Sequence, residues 1–220
     1  WDVHADVEAI KKDFYEQFFG KDAAPHIQAW WDACESQLLK GTLHVHEDWL
    51  VNNLYTEEFA KSIHKYYEQA KKSHMTEEQN KRFRIFELIV ENFEAWTQMH
   101  ESEKNMDYKK AKESASKMLD TQKQLYEISE FLVGKGALTN QWECFTKGRE
   151  IRLGKLHQMT DGESGIMIAP VPIEAKFSRD PFNEGIVGEW YLPEFNDKNW
   201  EMKNTYYLWD QQDKPLDAIG

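Results

Sequence analysis

The sequence predicts a mainly α-helical protein, an antiparallel helical bundle followed by a short, incomplete β segment. Two observations lead to this fold class. Through most of residues 5–132, apolar residues recur at steps of three and four, which is the spacing of one face of an α-helix. Beyond residue 169 the chain holds five of its six prolines, and the helical spacing disappears. With 220 residues, the chain is long enough to bury a hydrophobic core without disulfides.

The first two helices are indicated by their apolar faces and by the residues that end them. Between Ala5 and Phe19, the apolar residues on one helix face are Val7, Ile10, Phe14 and Phe18. Gly20 then supplies a C-terminal stop. The second helix begins near Ala23, has Pro25 in its first turn, where proline is tolerated, and ends at Gly41. Its apolar positions are Ile27, Trp30, Cys34 and Leu38.

Capping residues locate the next two helices. Thr56 is an expected N-cap, and Glu57 and Glu58 follow it in the first turn, where they complement the helix dipole. The apolar positions of this helix are Phe59, Ile63, Tyr66 and Ala70. Thr76 and Gln79 have the spacing of a capping box. The long amphipathic helix that follows has its apolar positions at Phe83, Phe86, Val90, Phe93 and Trp96.

A last long helix is predicted from Asp107 to Leu132, ending at Gly134 and Gly136. Its apolar positions are Tyr108, Ala111, Ala115, Met118, Leu125 and Ile128. Five helices that can pack antiparallel through mostly short connections favour a bundle over residues 1–136.

The rest of the chain is predicted to be a linker over 137–176 and a β-like segment over 177–220. The linker is expected to hold a short helix within Gln141–Met159 and a brief strand at Ile166–Ile168. The apolar residues expected on that helix are Trp142, Phe145, Ile151 and Leu156. Residues 177–220 alternate aromatic and turn residues, which is typical of short strands. A β-sandwich takes roughly 100 residues, so this segment can form only the first part of one.

Composition excludes several classes of function. The chain has 39 acidic and 27 basic residues and a net charge of −12, which disfavours binding to nucleic acid or to an anionic membrane. No apolar run is long enough to span a bilayer. Phosphate-loop, serine-elbow and HExxH motifs are missing, so nucleotide chemistry and zinc proteolysis have no support. Cys34 and Cys144 are interpreted as two buried thiols rather than as a disulfide.

The connection from Thr42 to Tyr55 contains the most ligand-like cluster of side chains. His44 and His46 would lie on the same side of an extended segment, and Glu47 and Asp48 could complete a metal shell. We favour hydrogen-bonded loop histidines over a metal site, and no cofactor is predicted. Together with Trp49 and Tyr55, the same loop could instead contact a substrate. A connection of this length often carries function.

Aromatic residues make up 14% of the chain and offer flat faces to ring-shaped ligands. Trp30 and Trp31 lie about 100° apart on a helix, so only one of them can face the core. The other is expected at a domain interface or, alternatively, as a platform for a sugar. The same two interpretations apply to the aromatic residues of the C-terminal segment, and for these we favour a structural role. They are Trp190, Tyr191, Trp200 and Trp209.

Three acidic residues, Glu87, Glu91 and Glu94, lie at helical spacing and could share a face of the long helix. Glycoside hydrolysis needs two carboxyl groups about 5–10 Å apart, one of them protonated. Sequence spacing does not establish such a pair. We interpret the three residues as a solvated acidic stripe.

The C-terminal residues also resemble a known module. The run Phe177, Asp180-Pro181, Gly185, Trp190-Tyr191, Phe195, Asp197, Trp200 and Trp209 resembles the first segment of the galactose-binding-like jelly roll in glycoside hydrolases of the beta-galactosidase and beta-glucuronidase type. Asn196 stands where that pattern usually has Asp, which is a conservative departure.

The helical half is similar to the domain that follows the catalytic barrel in bacterial glycoside hydrolase family 163 and in alpha-glucuronidase-like proteins. The residues that carry this resemblance are Trp1-Asp2, Phe14-Tyr15, Phe18-Phe19-Gly20, Ala23-Ala24-Pro25 and Trp30-Trp31. The resemblance implies a catalytic barrel upstream of Trp1, with the catalytic carboxylates outside this segment. It also implies a periplasmic or cell-surface location, with the targeting signal outside the segment.

The expected function is therefore that of a non-catalytic accessory part of a multidomain glycoside hydrolase. Its expected partners are the catalytic barrel of the same polypeptide and the glycan substrate. The residues expected to contact carbohydrate are His44, His46, Trp49, Tyr55, Trp31 and Trp190. Two alternatives stay open, a stand-alone helical scaffold protein that binds a partner peptide and a metal-dependent enzyme built on His44 and His46.

Overall fold

The computed structural model describes residues 4–40 and 54–205, and the chain divides into two compact units, residues 1–167 and residues 168–220. The helices of the first unit are α1 (Val7–Phe19), α2 (Ala24–Leu38), α3 (Glu57–Lys71), α4 (Glu77–Lys104), α5 (Tyr108–Ile128), α6 (Lys135–Thr139) and α7 (Thr146–Thr160). The second unit contains β1 (Glu174–Phe177), α8 (Glu184–Val187) and β2 (Glu201–Asn204). The predicted fold class, mainly α with a short β segment, is confirmed.

The predicted helix ends are confirmed where local hydrogen bonds determine them. Thr76 accepts a hydrogen bond from the backbone N–H of Gln79, and the Gln79 side chain accepts one from the backbone N–H of Thr76, so both halves of the capping box are present. Thr56 accepts from the N–H of Phe59. Gly20 ends α1 with a positive φ of 89°, a conformation that favours glycine, and its N–H donates to the carbonyl of Glu16.

The buried face of α1 differs from the face that the apolar spacing predicts. Val7, Ile10 and Phe14 are each more than half exposed, whereas Phe19 is buried. Phe19 faces the interior because its ring packs edge-on against Phe86 of α4, at 6.3 Å between centroids. The predicted apolar face of α1 therefore remains largely accessible in the folded chain.

Two groups of buried side chains form the interior of the first unit. One group lies between α1, α2, α3 and the first half of α4, and its largest members are Phe19, Ile27, Trp30, Ile63, Tyr67, Phe83, Phe86 and Val90. The other lies between the second half of α4, α5 and α7, and consists of Ala95, Met99, Ala111, Ala115, Met118 and Leu153. The small alanines of α5 allow close approach of the neighbouring helices.

The region predicted as a linker, 137–176, contains a full helix of the first unit. Helix α7 has 15 residues and packs against α5, with Leu153 completely buried. The short helix expected within Gln141–Met159 is present as α7, but two residues predicted to lie on it, Trp142 and Phe145, precede its first residue, and Trp142 is 73% exposed. Ile166 makes only an isolated bridge to Asp161, so the strand predicted at 166–168 is wrong. Helix α5 ends four residues before Leu132.

The second unit is built around a two-stranded antiparallel sheet. Glu174 pairs with Asn204 at one end, and Phe177 pairs with Glu201 at the other. Thr205 extends the pairing, since its backbone N–H donates to the carbonyl of Ile173 at 2.8 Å. Over the residues described in both units, no helix combines the length and the apolar character needed to cross a membrane.

Candidate functional site

A cavity of about 480 Å³ in the first unit, which we call the aromatic cleft, is the strongest candidate for a binding site. Helices α2, α4 and α5 and the first turn of α7 supply its walls. Its aromatic lining consists of Trp30, Trp31, Tyr55, Phe93 and Trp96. Its volume falls within the range of roughly 300–1,000 Å³ that is typical of small-molecule sites.

Adjacent tryptophans of α2 divide between the core and the cleft surface. Trp30 is 2% exposed, whereas Trp31 is 39% exposed. Their rings lie 4.9 Å apart and nearly perpendicular, at 86°. The prediction that only one of the two indoles faces the core is therefore confirmed, and Trp31 presents an accessible indole to the cleft.

Tyr55 fixes another part of the aromatic lining. Its hydroxyl donates a hydrogen bond to the carbonyl of Cys34 at 2.9 Å, and its ring lies 5.5 Å from that of Phe93. Burial raises the pKa of the Tyr55 hydroxyl, with a smaller contribution from Cys34 in the same direction. The phenol is therefore neutral at physiological pH, and both its hydroxyl and its ring are held in place.

The structure brings together two of the six residues predicted to contact carbohydrate. Trp31 and Tyr55 both line the aromatic cleft. His44, His46 and Trp49 lie outside the described residues. Trp190 belongs to the second unit.

The polar side chains of the aromatic cleft were not identified from the sequence. The buried Oε1 of Gln122 receives no hydrogen bond from any part of the chain that the structure describes. Asn92 accepts from the hydroxyl of Thr121 at 3.2 Å. Arg149 donates to the carbonyl of Glu143 at 3.0 Å, and its guanidinium lies 3.1 Å from the ring of His100. Amide and guanidinium groups are thus positioned beside aromatic rings.

Both cysteines line the aromatic cleft, and both are free. Cys34 is buried, and burial raises the pKa of its thiol to about 12. It is therefore protonated at neutral pH and a poor nucleophile. Cys144 is exposed, so the prediction that both thiols are buried is wrong for this residue. It lies in the turn region before α7, where the side chain is not enclosed by helices.

The three acidic residues of α4 that the sequence singled out each contact the side chain of an arginine or a histidine. Glu87 accepts a hydrogen bond from Tyr67 at 2.7 Å and is paired with Arg84, which also reaches Glu91 at 3.3 Å. Glu94 lies 2.5 Å from His64 of α3. The side chains of the three acids are 19–33% exposed, so they are half-buried rather than a solvated stripe.

The charge state of Glu87 follows from these contacts. Burial alone would raise the pKa of this carboxyl group, but hydrogen bonds from Tyr67 and Arg84, together with the positive charges of Arg84 and Lys71, outweigh burial and lower it. Glu87 is therefore ionised at neutral pH. A general acid in glycoside hydrolysis needs the opposite shift.

In the second unit, three of the aromatic residues that carry the jelly-roll resemblance pack against one another, while Tyr191 is 70% exposed and Trp209 lies outside the described residues. The rings of Trp190, Phe195 and Trp200 lie 5.3–6.0 Å apart. The Asp180 carboxylate accepts hydrogen bonds from the backbone N–H groups of two residues of α8, Glu184 and Gly185. Since Trp190 is half-buried in this cluster, the contacts support its structural interpretation.

The packing around position 185 is tight and favours glycine there. A Cβ atom there would lie 2.8 Å from the Asp180 carboxylate and 3.1 Å from the Trp190 ring. An ion pair between Lys176 of β1 and Asp197, at 2.6 Å, connects the strand to the segment that contains Phe195 and Trp200. The short motif thus forms a compact local structure around three aromatic rings.

Comparisons of the chain with models of protein families, with curated proteins and with solved structures find no match. Among the residues that the structure describes, no group of three or more His, Cys, Asp or Glu side chains is arranged to hold a metal ion. The candidate site is thus defined by its own geometry, an aromatic cleft with a few polar groups.

Proposed function

We propose that the chain is a non-catalytic accessory part of a multidomain glycoside hydrolase that acts on complex glycans or polysaccharides. In this proposal the helical unit supports the catalytic barrel, and the second unit begins a sugar-binding-like module. The observation that carries the proposal is the exposed apolar face of α1.

This face, which we call the α1 face, consists of Val7, Ile10 and Phe14. The three side chains are 62%, 59% and 54% exposed, and they lie on one side of the helix. Phe14 stacks on Phe18 at 5.3 Å, and the Arg82 guanidinium lies 5.1 Å from the Phe18 ring. Contiguous exposed apolar surface with a polar rim is typical of interfaces between proteins or domains. A neighbouring domain that covers it would bury three large side chains.

Further support comes from the second unit. Asp180, Gly185, Trp190, Phe195 and Trp200 carry the resemblance to the first segment of a galactose-binding-like jelly roll, and they contact one another directly or through the α8 turn. Motif residues that contact one another support the resemblance to a jelly-roll segment more strongly than the same residues would if they were dispersed over a surface.

The proposal is tested by a binding measurement. The segment encoded upstream of residue 1 and the present chain are produced as two polypeptides, and their association is measured by calorimetry. We expect association, and we expect Phe14→Asp to weaken it by at least about tenfold, which corresponds to about 1.4 kcal/mol. Phe131→Asp is the matched control because Phe131 is 93% exposed in the turn after α5, away from the α1 face.

Activity measurements complete this test. The chain alone should not hydrolyse a panel of nitrophenyl glycosides, whereas the upstream segment should. Turnover by the chain alone, or an upstream segment without a barrel and paired carboxylates, would overturn the proposal.

The alternative of a stand-alone helical scaffold protein also uses the α1 face, because an amphipathic partner helix could cover the same three side chains. The two functions differ in where the partner is encoded. Association of the α1 face with a separate protein, but not with the upstream segment, would favour the scaffold.

A further inference from the structure

We infer that the aromatic cleft binds an aromatic carboxylate. The ring of this ligand packs on the indole of Trp31, and its carboxylate accepts a hydrogen bond from the hydroxyl of Thr146 at the first turn of α7. The inference does not rest on the proposed function, because the chemistry of the ligand follows from the side chains and the helix end that line the cleft.

The wall of the cleft is largely aromatic, and its rings are held in place. Trp31 presents an indole that is 39% exposed, and the buried ring of Trp30 packs edge-on behind it. Tyr55 is fixed by the hydrogen bond from its hydroxyl to the carbonyl of Cys34. A flat ring gains contact area on such walls, and fixed walls lose little conformational entropy when a ligand binds. The body of the ligand should therefore be aromatic, and a cavity of about 480 Å³ has room for it.

The charges at the cleft favour an anion. The chain carries 39 acidic residues, yet none of them belongs to the described lining of the cleft, where Arg149 is the only charged side chain. Arg149 is positioned by its hydrogen bond to the carbonyl of Glu143 and by its contact with His100. Its contribution to ligand binding is therefore its positive charge rather than a new hydrogen bond. That charge attracts a carboxylate and repels a cationic ligand.

The start of α7 adds a second preference for an anion. Phe145, the residue before the helix, offers no side-chain acceptor to the N–H groups of the first turn, and no acidic residue lies in that turn. Lys147 of the same turn pairs with Glu150 at 2.6 Å and does not line the cleft. The N–H groups at the start of a helix, together with the helix dipole, favour a negatively charged oxygen. A carboxylate in the cleft would supply the cap that α7 lacks.

Thr146 identifies the point at which the carboxylate binds. This residue is the first of α7, lines the cleft and is 8% exposed. Its hydroxyl makes no hydrogen bond with any residue that the structure describes, and its oxygen, unlike Oε1 of Gln122, is not fully enclosed. A buried hydroxyl that lacks a partner but can still be reached calls for an acceptor on the ligand. An ionised carboxylate is a stronger acceptor than a neutral group.

The experiment compares three probes on the full chain, namely 2-naphthoate, neutral 2-naphthylmethanol of similar shape, and acetate. Binding is measured by isothermal titration calorimetry and by saturation-transfer NMR. We expect 2-naphthoate to bind with a dissociation constant below about 1 mM, 2-naphthylmethanol to bind at least about tenfold more weakly, and acetate not to bind measurably. Added salt should weaken the binding of 2-naphthoate alone, because it screens the attraction to Arg149.

Substitutions at Thr146 test the position of the carboxylate. Thr146→Val keeps the shape of the side chain and removes its hydroxyl, so it should weaken the binding of 2-naphthoate at least about tenfold and that of 2-naphthylmethanol by less. Thr146→Ser keeps the hydroxyl and should retain the affinity. Thr139→Val is the matched control and should leave the affinity unchanged, since the hydroxyl of Thr139 donates to the carbonyl of Lys135 and the residue does not line the cleft.

Substitutions at Trp31 test the position of the ring. Trp31→Ala should weaken the binding of both naphthyl probes at least about tenfold. Trp31→Phe keeps a ring and should retain part of the affinity, so it serves as the test if circular dichroism shows that Trp31→Ala does not fold. Trp142→Ala is the control, because Trp142 is a 73% exposed indole that does not line the cleft.

Three results would overturn the inference. They are equal affinities for 2-naphthoate and 2-naphthylmethanol, binding of 2-naphthoate that Thr146→Val leaves unchanged, and no detectable binding of 2-naphthoate at millimolar concentration. None of these results affects the proposed function, which is decided by the upstream segment and by the glycosidase assay.

Discussion

The two units of the chain differ in how far apart in the sequence their stabilising contacts reach. In the first unit, Phe86 of α4 packs against Phe19 of α1, Trp30 of α2 and Tyr67 of α3, so one ring joins four helices. In the second unit, the rings of Trp190, Phe195 and Trp200 meet within eleven consecutive residues. Within the described residues, every buried hydrophobic side chain lies between Phe19 and Leu153.

This difference has a physical consequence for stability. A buried aromatic residue that joins several helices contributes the free energy of transfer from water and also fills space that its neighbours cannot fill if it is removed. A half-buried local cluster contributes less, because part of its surface stays in water. The first unit should therefore unfold cooperatively, and the second should open locally at a lower free energy.

Removal of the central ring of the first unit should have the largest effect. Phe86 is 1% exposed, and Phe86→Ala should lower the free energy of unfolding by about 3–5 kcal/mol, because it leaves a cavity between four helices. The measurement is urea denaturation followed by far-ultraviolet circular dichroism. Phe195→Ala in the second unit is the control and should change the helical transition by less than about 0.5 kcal/mol. Equal losses in the two variants would contradict the distinction between the units.

Trp190→Ala tests the second unit by itself. Trp190 contacts both Phe195 and Trp200, so its removal should lower the local opening free energy of residues 174–204 by about 1–3 kcal/mol. Hydrogen exchange of the backbone amides of β1 and β2 reports this loss. The amides of α4 should keep their protection. A parallel loss of protection in α4 would show that the two units unfold together.

The sequence predicted those features whose partners are close along the chain. Thr76 and Gln79 are three residues apart, and their reciprocal hydrogen bonds depend on little else, so the start of α4 was predictable. Gly20 ends α1 for an equally local reason. The same holds for the division between Trp30 and Trp31, which follows from the 100° rotation between adjacent helical residues.

Features that depend on distant partners were not predictable. Both Phe14 and Phe19 are aromatic, and the ring that becomes buried is the one that meets Phe86 of α4. A short helix was predicted within Gln141–Met159, and α7 lies there, but the burial of its Leu153 against α5 was not predicted. The few apolar residues of this helix do not indicate which face packs.

The residues of the aromatic cleft were likewise predictable only where the local sequence distinguishes them. Trp31 and Tyr55 were predicted as carbohydrate contacts from their residue type and from the length of the connection before Tyr55. Gln122 was not, because an isolated glutamine on a helix has no distinguishing sequence context. Only the packing of α2, α4 and α5 places its side chain beside the aromatic rings.

A smaller effect is expected from removal of a side chain that caps the start of a helix. Each unit has such a side chain, so the same interaction can be tested in both. Thr76→Ala removes the acceptor for the N–H of Gln79 and should lower the stability of the first unit by about 1 kcal/mol. Thr76→Ser keeps the hydroxyl and should restore most of the loss.

Asp180→Ala removes the acceptor for the N–H groups of Glu184 and Gly185 and should accelerate hydrogen exchange of backbone amides only within the second unit. An effect of Asp180→Ala on the unfolding of the helices would contradict this separation.

The smallest effect expected is the pH dependence that Glu87 gives to the first unit. The contacts with Tyr67 and Arg84 hold its pKa in the folded protein below its ordinary value of 4.5. The folded state therefore binds this proton less tightly than the unfolded state does. The stabilisation is fully present above pH 4.5, the ordinary value, and is lost as the pH falls through the folded-state pKa. Glu87→Gln should cost about 0.5–1 kcal/mol at neutral pH, since Arg84 and Lys71 are substantially exposed.

Denaturation of the wild type and of Glu87→Gln over a series of pH values measures this contribution directly. The difference in free energy of unfolding between the two proteins should shrink as the pH is lowered through the acidic range, because protonation of Glu87 removes the charge that the variant lacks at every pH. Glu113→Gln is the control, since Glu113 is an exposed residue of α5, and its difference from the wild type should be small throughout. A difference for Glu87→Gln that does not vary with pH would mean that the residue stabilises the helices through its packing and hydrogen-bond geometry, and that its charge contributes nothing.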